Sequence, residues 1–140
     1  KKIIKADYVT YVDKINKSTR IINHAFYGQD GNFRINTPVK YLLYILTLIS
    51  TYTVIEIDYE HGMECYDALN AVGAIDVLRA AMPAAEVQEF DTILSMMEDD
   101  LLENERSLVS YVENKMKVLT EMLNGIDLEK ISKALEEVKK

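Results

Sequence analysis

The sequence predicts an all-α protein: an irregular helical bundle with one very long or broken helix at about 83–124 and a short C-terminal amphipathic helix. Three observations predict this fold. Apolar residues recur at spacings of three, four and seven along most of the 140 residues. Only 5 Gly and 2 Pro interrupt these patterns, and 49% hydrophobic with 28% charged residues are typical of globular proteins. We expect a helical domain over 1–124 and a docking or oligomerisation helix over 125–140.

The first predicted helix runs from about Tyr8 to Phe26, because its apolar residues recur at helical spacing while basic residues, Lys14 among them, lie on other faces. It is predicted to end at Gly28, where residues that favour turns begin. The short segment 33–35 is then expected to form an extended strap or the arm of a hairpin.

The second predicted helix begins at Pro38, after the polar cap residues Asn36 and Thr37, and runs to about Thr53. Apolar residues surround it on most sides, so we expect it at the centre of the domain. Residues 54–59 alternate apolar and acidic side chains. One strand without a partner does not form a sheet, so this segment is predicted to be a helix end and a connection.

Residues 63–82 have a helical apolar pattern that Gly73 interrupts, which predicts two short helices with a bend. Pro83 ends this segment. It also opens the next helix, because proline is favourable in a first turn and the Glu86 carboxylate lies near the positive end of the helix dipole.

The next predicted helix is too long for a compact domain. Apolar residues recur at helical spacing after Pro83, with no further Pro or Gly before Gly125. A helix over 83–124 would be about 60 Å long, whereas a compact chain of this size is about 40 Å across. We expect the helix to break, to project from the domain or to pack along a neighbouring subunit. The polar residues Asn104 and Glu105 interrupt the apolar seam where a break is expected.

The last predicted helix begins at Asp127, a suitable N-cap, and carries a narrow apolar stripe of Leu128, Ile131, Leu135 and Val138. So short a helix is marginal in isolation. The stripe is therefore predicted to lie against its own bundle or to dock on another chain.

Net charge limits the partners that the chain can bind. The formal charge is −7, with 23 acidic and 16 basic residues, which is the wrong sign for direct binding of nucleic acid or an anionic membrane. Residues 1–60 contain 8 basic and 6 acidic residues, whereas residues 61–140 contain 8 basic and 17 acidic, so the two parts carry +2 and −9.

The acidity concentrates between Glu86 and Glu105, where no Lys or Arg occurs. Such a run is either the solvated face of a helix or a surface for a basic partner. The partner would be a neighbouring copy or a foreign nucleic-acid-binding protein. Asp99, Asp100 and Glu103 are the candidate residues for this contact. We predict no metal site here, because the segment does not resemble a ligating loop.

The sequence contains few side chains of the types that act in catalysis. His24 and His61 are the near-neutral acid–base groups, and the single Cys, Cys65, excludes an intrachain disulfide. His61 and Cys65 are four residues apart and would share a helix face, which leaves an enzyme as a remote alternative. Phosphate-binding, zinc-protease and redox motifs are absent from the sequence. We therefore predict no catalytic, cofactor-binding or metal-binding residues.

The chain is expected to be neither secreted nor inserted in a membrane. Charged residues occur from Lys1 through Asp7, before an apolar signal-peptide region can develop. The longest apolar stretch without charge, Tyr41–Ile55, has 15 residues, whereas a transmembrane helix needs about 20.

Two stretches carry a resemblance to known proteins. Residues 36–58 (NTPVKYLLYILTLISTYTVIEID) and 89–113 (EFDTILSMMEDDLLENERSLVSYVE) resemble the small acidic helical proteins from the structural gene modules of bacteriophages and prophages of Gram-positive bacteria. The resemblance implies a non-enzymatic virion component or assembly factor of the head or tail region. It also implies a location in the host cytoplasm or in the virion, and it gives no residue a role.

These patterns lead to the hypothesis of a protein–protein interaction protein that self-associates, as a homo-oligomer, or docks on phage structural proteins. The alternative is a phage-encoded acidic inhibitor that presents the face at 86–105 to a basic host enzyme.

Overall fold

The computed structural model describes residues 2–124 and 128–138, and in the second range the side chains of residues 130 and 133–138. The described residues form six α-helices and one short 3-10 helix without a β-strand, so the predicted all-α class is confirmed. In chain order these are α1 (Tyr11–Phe26), α2 (Thr37–Tyr52), the 3-10 helix (Tyr59–His61), α3 (Gly62–Ala71), α4 (Ala74–Ala81), α5 (Ala84–Asn124) and α6 (Leu128–Val138).

The chain divides into two compact units, Lys1–Asp99 and Asp100–Lys140. Helix α5 contributes residues 84–99 to the first unit and residues 100–124 to the second. The predicted boundary, after residue 124, lies farther along the chain, and a separate docking role for the last helix stays a prediction.

Helix α2 lies at the centre of the first unit, as its apolar pattern predicts. Its residues Tyr44–Ile49 are all buried, and the helix contacts both α1 and α3. Ile22 and Phe26 of α1 belong to the same core. Gly62 brings the start of α3 close to α2, because a Cβ added there would lie 3.1 Å from the Leu46 side chain.

Helix α1 begins at Tyr11, so the prediction that it begins at about Tyr8 is wrong. Thr10 adopts extended φ and ψ angles of −63° and 152°, and its hydroxyl accepts a hydrogen bond from the Asp13 N–H at 3.2 Å. This N-cap satisfies one of the backbone donors that a helix start leaves open.

The segment before α1 lies antiparallel to the residues that follow α2. The Lys5 N–H donates to the Tyr52 carbonyl and the Val54 N–H donates to the Ile3 carbonyl, both at 2.9 Å. These bonds produce one isolated bridge. The connection after α2 is present as predicted, but it has a backbone partner that the sequence did not indicate.

A tight hairpin connects α1 and α2. The Arg34 N–H donates to the Phe26 carbonyl at 2.7 Å, and Tyr27 and Phe33 form an antiparallel bridge. Gly31 has a φ of +76°, a left-handed conformation that favours glycine. Of the two predicted outcomes for residues 33–35, the hairpin arm is the one observed.

Helices α3 and α4 meet at Gly73, whose φ of +72° confirms the predicted bend. Pro83 follows α4, and α5 begins at Ala84. Helix α5 continues through Asn104 and Glu105, so the predicted alternative of a break at these residues is wrong.

In the second unit, every residue of α5 from Arg106 to Asn124 is exposed. Helix α6 follows the predicted C-terminal helical pattern. The predicted helix stop at Gly125 and the predicted N-cap at Asp127 lie outside the described residues.

Candidate interaction surface

Large apolar side chains are exposed on α5 in the second unit. Their spacing distributes them over roughly half of the helix circumference. We call them the α5 apolar face, and each is between 48% and 60% exposed: Leu108, Val109, Tyr111, Val112, Met116, Val118, Leu119, Met122 and Leu123. A helix normally buries such a face against another element, so this face is a candidate site for binding protein.

None of the nine residues of the α5 apolar face was predicted from the sequence to bind a partner. The helical spacing of these apolar residues is visible in the sequence. Spacing alone does not distinguish a helix that is covered by its own domain from one that is exposed, and the structure supplies that difference.

The predicted stripe on α6 is described in part. Leu135 is 57% exposed and Val138 is 84% exposed. The side chains of Leu128 and Ile131 lie outside the described residues. The described half of the stripe is therefore accessible to a partner.

The three acidic residues predicted to bind a partner are all exposed on α5. Asp99 belongs to the first unit, whereas Asp100 and Glu103 belong to the second. The Glu103 carboxylate lies 3.8 Å from the Arg106 guanidinium one turn away. Exposed ion pairs of this kind contribute little to stability, so these carboxylates remain accessible to solvent and partners.

Other members of the acidic run are neither solvated nor available to a partner. Glu86 is 7% exposed and accepts hydrogen bonds from the Lys14 ammonium and the Val9 N–H. Glu98 forms an ion pair with Lys40 of α2. The expectation that the whole run forms one solvated or partner-binding face is therefore wrong for these two residues, because basic residues of α1 and α2 pack against them.

Lys14 is 0% exposed, so its placement on an outer face of α1 is also wrong. Its ammonium contacts Glu86, lies 2.9 Å from the Glu89 carboxylate, and lies 5.4 Å from the centre of the Tyr8 ring. Lys14 precedes Ser18 by four residues and the apolar Ile21 by seven, and all three share the buried face of α1. That spacing is the sequence signal that would have found this residue.

The electrostatics of this cluster favour a charged lysine. Burial acts to lower the pKa of Lys14, but the hydrogen bonds that its ammonium donates to Glu86 and Glu89 raise it, and the net pKa is raised above 10.5. Burial raises the pKa of Tyr52 to about 12. The hydroxyls of Ser18, Thr51 and Tyr52 are buried and have no hydrogen-bond partner within the described part of the chain.

Residues of α1, α2 and the 3-10 helix line a cleft of about 410 Å³. Lys17, Arg20 and His24 belong to α1, and Tyr59 and Glu60 belong to the 3-10 helix. The basic residues would attract an anionic group, but Glu60 opposes such a ligand.

His61 and Cys65 each contact Asp58. The His61 Nδ1 lies 2.8 Å from the Asp58 carboxylate, which raises the pKa of His61, while the Cys65 thiol donates to the Asp58 carbonyl at 3.8 Å. Of the residues that the structure describes, one group could hold a cation. It consists of the exposed residues Asp58, Glu60 and His61, whose ligand atoms all lie within 4.8 Å of one another.

Among the described residues, none of the helices combines the length and apolarity needed to cross a membrane. Comparison with protein-family profiles, curated proteins and solved structures finds no match to this chain.

Proposed function

We propose that this chain is a non-enzymatic protein–protein interaction protein that self-associates through the α5 apolar face. One observation carries the proposal: nine large apolar side chains lie on one helix and each remains about half exposed. Soluble monomers rarely present so large a contiguous apolar surface. We propose that the α5 apolar face of a second copy of the chain covers this surface.

Burial of the α5 apolar face favours association. Covering the exposed half of a large apolar side chain contributes about 1 kcal/mol, so each apolar residue that a second copy covers adds to the stability of the pair.

The charge on this part of α5 does not oppose self-association. Residues 106–124 contain Arg106, Lys115 and Lys117 against Glu113 and Glu121, a net charge of +1. Two copies therefore meet without strong repulsion, although the chain as a whole carries −7.

The resemblance of residues 36–58 and 89–113 to structural proteins of phages of Gram-positive bacteria supports a more specific role. In that role, the chain is a virion component or assembly factor of the head or tail region, and its location is the host cytoplasm or the virion. The α6 residues Leu135 and Val138 offer a further apolar surface for docking on phage structural proteins.

An acidic inhibitor of a basic host enzyme is the second candidate. The exposure of Asp99, Asp100 and Glu103 favours it. Replacing these three residues with Lys should abolish capture of the basic partner, and capture by the unaltered chain should weaken steeply as salt is added.

The experiment for self-association is size-exclusion chromatography with light scattering on two variants. Val112→Glu with Leu119→Glu places four carboxylates in a dimer interface, so we expect the mass to fall to the 16.0 kDa of one chain. Both positions are about half exposed, so the fold should survive, and circular dichroism checks this. Ser110→Glu with Asn114→Glu is the matched control on the opposite side of the helix and should keep the mass of the unaltered chain. Equal masses for both variants would contradict the proposal.

A further inference from the structure

A regular heptad seam with two polar members runs along α5 and shares Leu108, Val112 and Leu119 with the α5 apolar face. Positions separated alternately by four and three residues form a single line on a helix: Leu101, Glu105, Leu108, Val112, Lys115 and Leu119. All six lie in the helical part of the second unit. Four are apolar, and the other two carry opposite charges.

The two charged residues are placed symmetrically. Glu105 and Lys115 lie five residues before and after Ser110. The apolar seam residues are equally symmetric, because Leu101 and Leu119 lie nine residues before and after the same point. The apolar seam residues therefore lie at equal distances on both sides of Ser110. The two charged seam residues also lie at equal distances from it, but their charges have opposite signs.

This symmetry distinguishes the two ways in which two copies can pair. In a parallel pair, equivalent residues meet, so Glu105 would face Glu105 and Lys115 would face Lys115 of the second copy. In an antiparallel pair centred on Ser110, each Glu105 meets Lys115 of the second copy, and Leu101 meets Leu119. Like charges that meet in an apolar interface are costly, whereas a polar pair of opposite charge at seam positions fixes orientation and register.

We infer that the chain self-associates as an antiparallel pair of α5 helices centred on Ser110, with two Glu105–Lys115 ion pairs between the copies. This inference rests on the proposed self-association and adds its orientation and register. Lys115 lies 5.5 Å from the centre of the Tyr111 ring on its own helix, so its ammonium is already directed along the apolar face. In the antiparallel arrangement, the dipoles of the two helices also point in opposite directions, so that each positive helix end lies near the negative end of the other helix.

Thiol crosslinking tests the orientation. Leu101→Cys and Leu119→Cys are prepared separately, each with Cys65→Ser, since Cys65 is the single native cysteine. A short bismaleimide is added to each variant alone and to their mixture. In the antiparallel pair, residue 101 lies beside residue 119 of the second copy, so crosslinked dimer should form in the mixture. Equivalent cysteines would lie about 27 Å apart, so neither variant alone should crosslink.

Charge reversal tests the register. Glu105→Lys and Lys115→Glu each place like charges in both polar layers, so each should weaken association by about tenfold or more. The double variant restores opposite charges and should associate like the unaltered chain. Glu113→Lys and Lys117→Glu make the same changes in charge on the outer side of α5, and they should have little effect.

The outcomes separate this inference from the proposed function. A chain that associates but crosslinks in each single variant is parallel, which overturns the inference and leaves the proposed function intact. Association without crosslinking in any sample overturns the register in the same way. A monomer of 16.0 kDa, as when α6 of the same chain covers the face, overturns both.

Discussion

Lys14 is fully buried, yet it keeps its charge because two carboxylates of α5 hold it. Glu86 is itself nearly buried and also accepts the Val9 N–H, so this one side chain joins the N-terminal segment, α1 and α5. Buried ion pairs of this kind contribute little net stability compared with apolar residues, but loss of one partner leaves an uncompensated charge. The cluster therefore fixes how these elements fit together.

Replacing Lys14 with Met should destabilise the fold by about 3 kcal/mol, because Glu86 would remain buried without its cation. Urea unfolding of the variant measures this loss. Lys17→Met, three residues along the same helix, is the control and should change the free energy of unfolding by less than about 1 kcal/mol.

The double variant Lys14→Met with Glu86→Gln should recover most of that loss, because neither charge then remains in the core and the new amide oxygen can still accept the Val9 N–H. Equal stability of Lys14→Met and the unaltered chain would show that the lysine is solvated in solution.

Lys14 and Tyr52 also predict lower stability at alkaline pH. The pKa of Lys14 is raised above 10.5, and the pKa of Tyr52 is raised from 10.0 to about 12. The folded chain holds both protons more tightly than the unfolded chain, so this stabilisation is complete below about pH 10 and is lost as the pH rises through the folded pKa values.

Urea unfolding at about pH 9 and about pH 11 measures the effect, and the midpoint should fall between them. Tyr52→Phe should reduce the fall, because this phenol no longer titrates. Lys14 and Tyr44 account for the remainder, since burial also raises the pKa of Tyr44 to about 12. A midpoint that is independent of pH over this range would contradict the buried placement of both groups.

At the scale of elements, local patterns were enough to predict most of the helices. Asn36 followed by Thr37 and Pro38 predicted the start of α2, and the Asn36 side chain does accept the Val39 N–H at 3.2 Å. Gly73 predicted the bend between α3 and α4. These signals depend on caps and breakers near the element itself, so one sequence suffices to read them.

Features that depend on distant residues were not predicted. Ile3 and Lys5 form backbone hydrogen bonds with the residues around Tyr52, and nothing in the local pattern shows this pairing. The Lys14–Glu86 pair joins residues 72 positions apart. Periodicity placed the apolar residues of α5 on one face, but it did not indicate whether that face is covered.

For the whole molecule, part of the charge asymmetry is satisfied within the chain. Lys14 and Lys40 of the basic part pair with Glu86, Glu89 and Glu98 of the acidic run. Fewer charges therefore remain for electrostatic attraction between copies. We consequently place the main contribution to self-association in the α5 apolar face, where added salt screens little.

Self-association through the α5 apolar face determines the mass of the unaltered chain in solution. Sedimentation equilibrium over a wide range of concentrations, at low and high salt, gives that mass. We predict a mass that approaches at least twice the 16.0 kDa of one chain and that depends little on salt. A mass of 16.0 kDa at every concentration would contradict the claim.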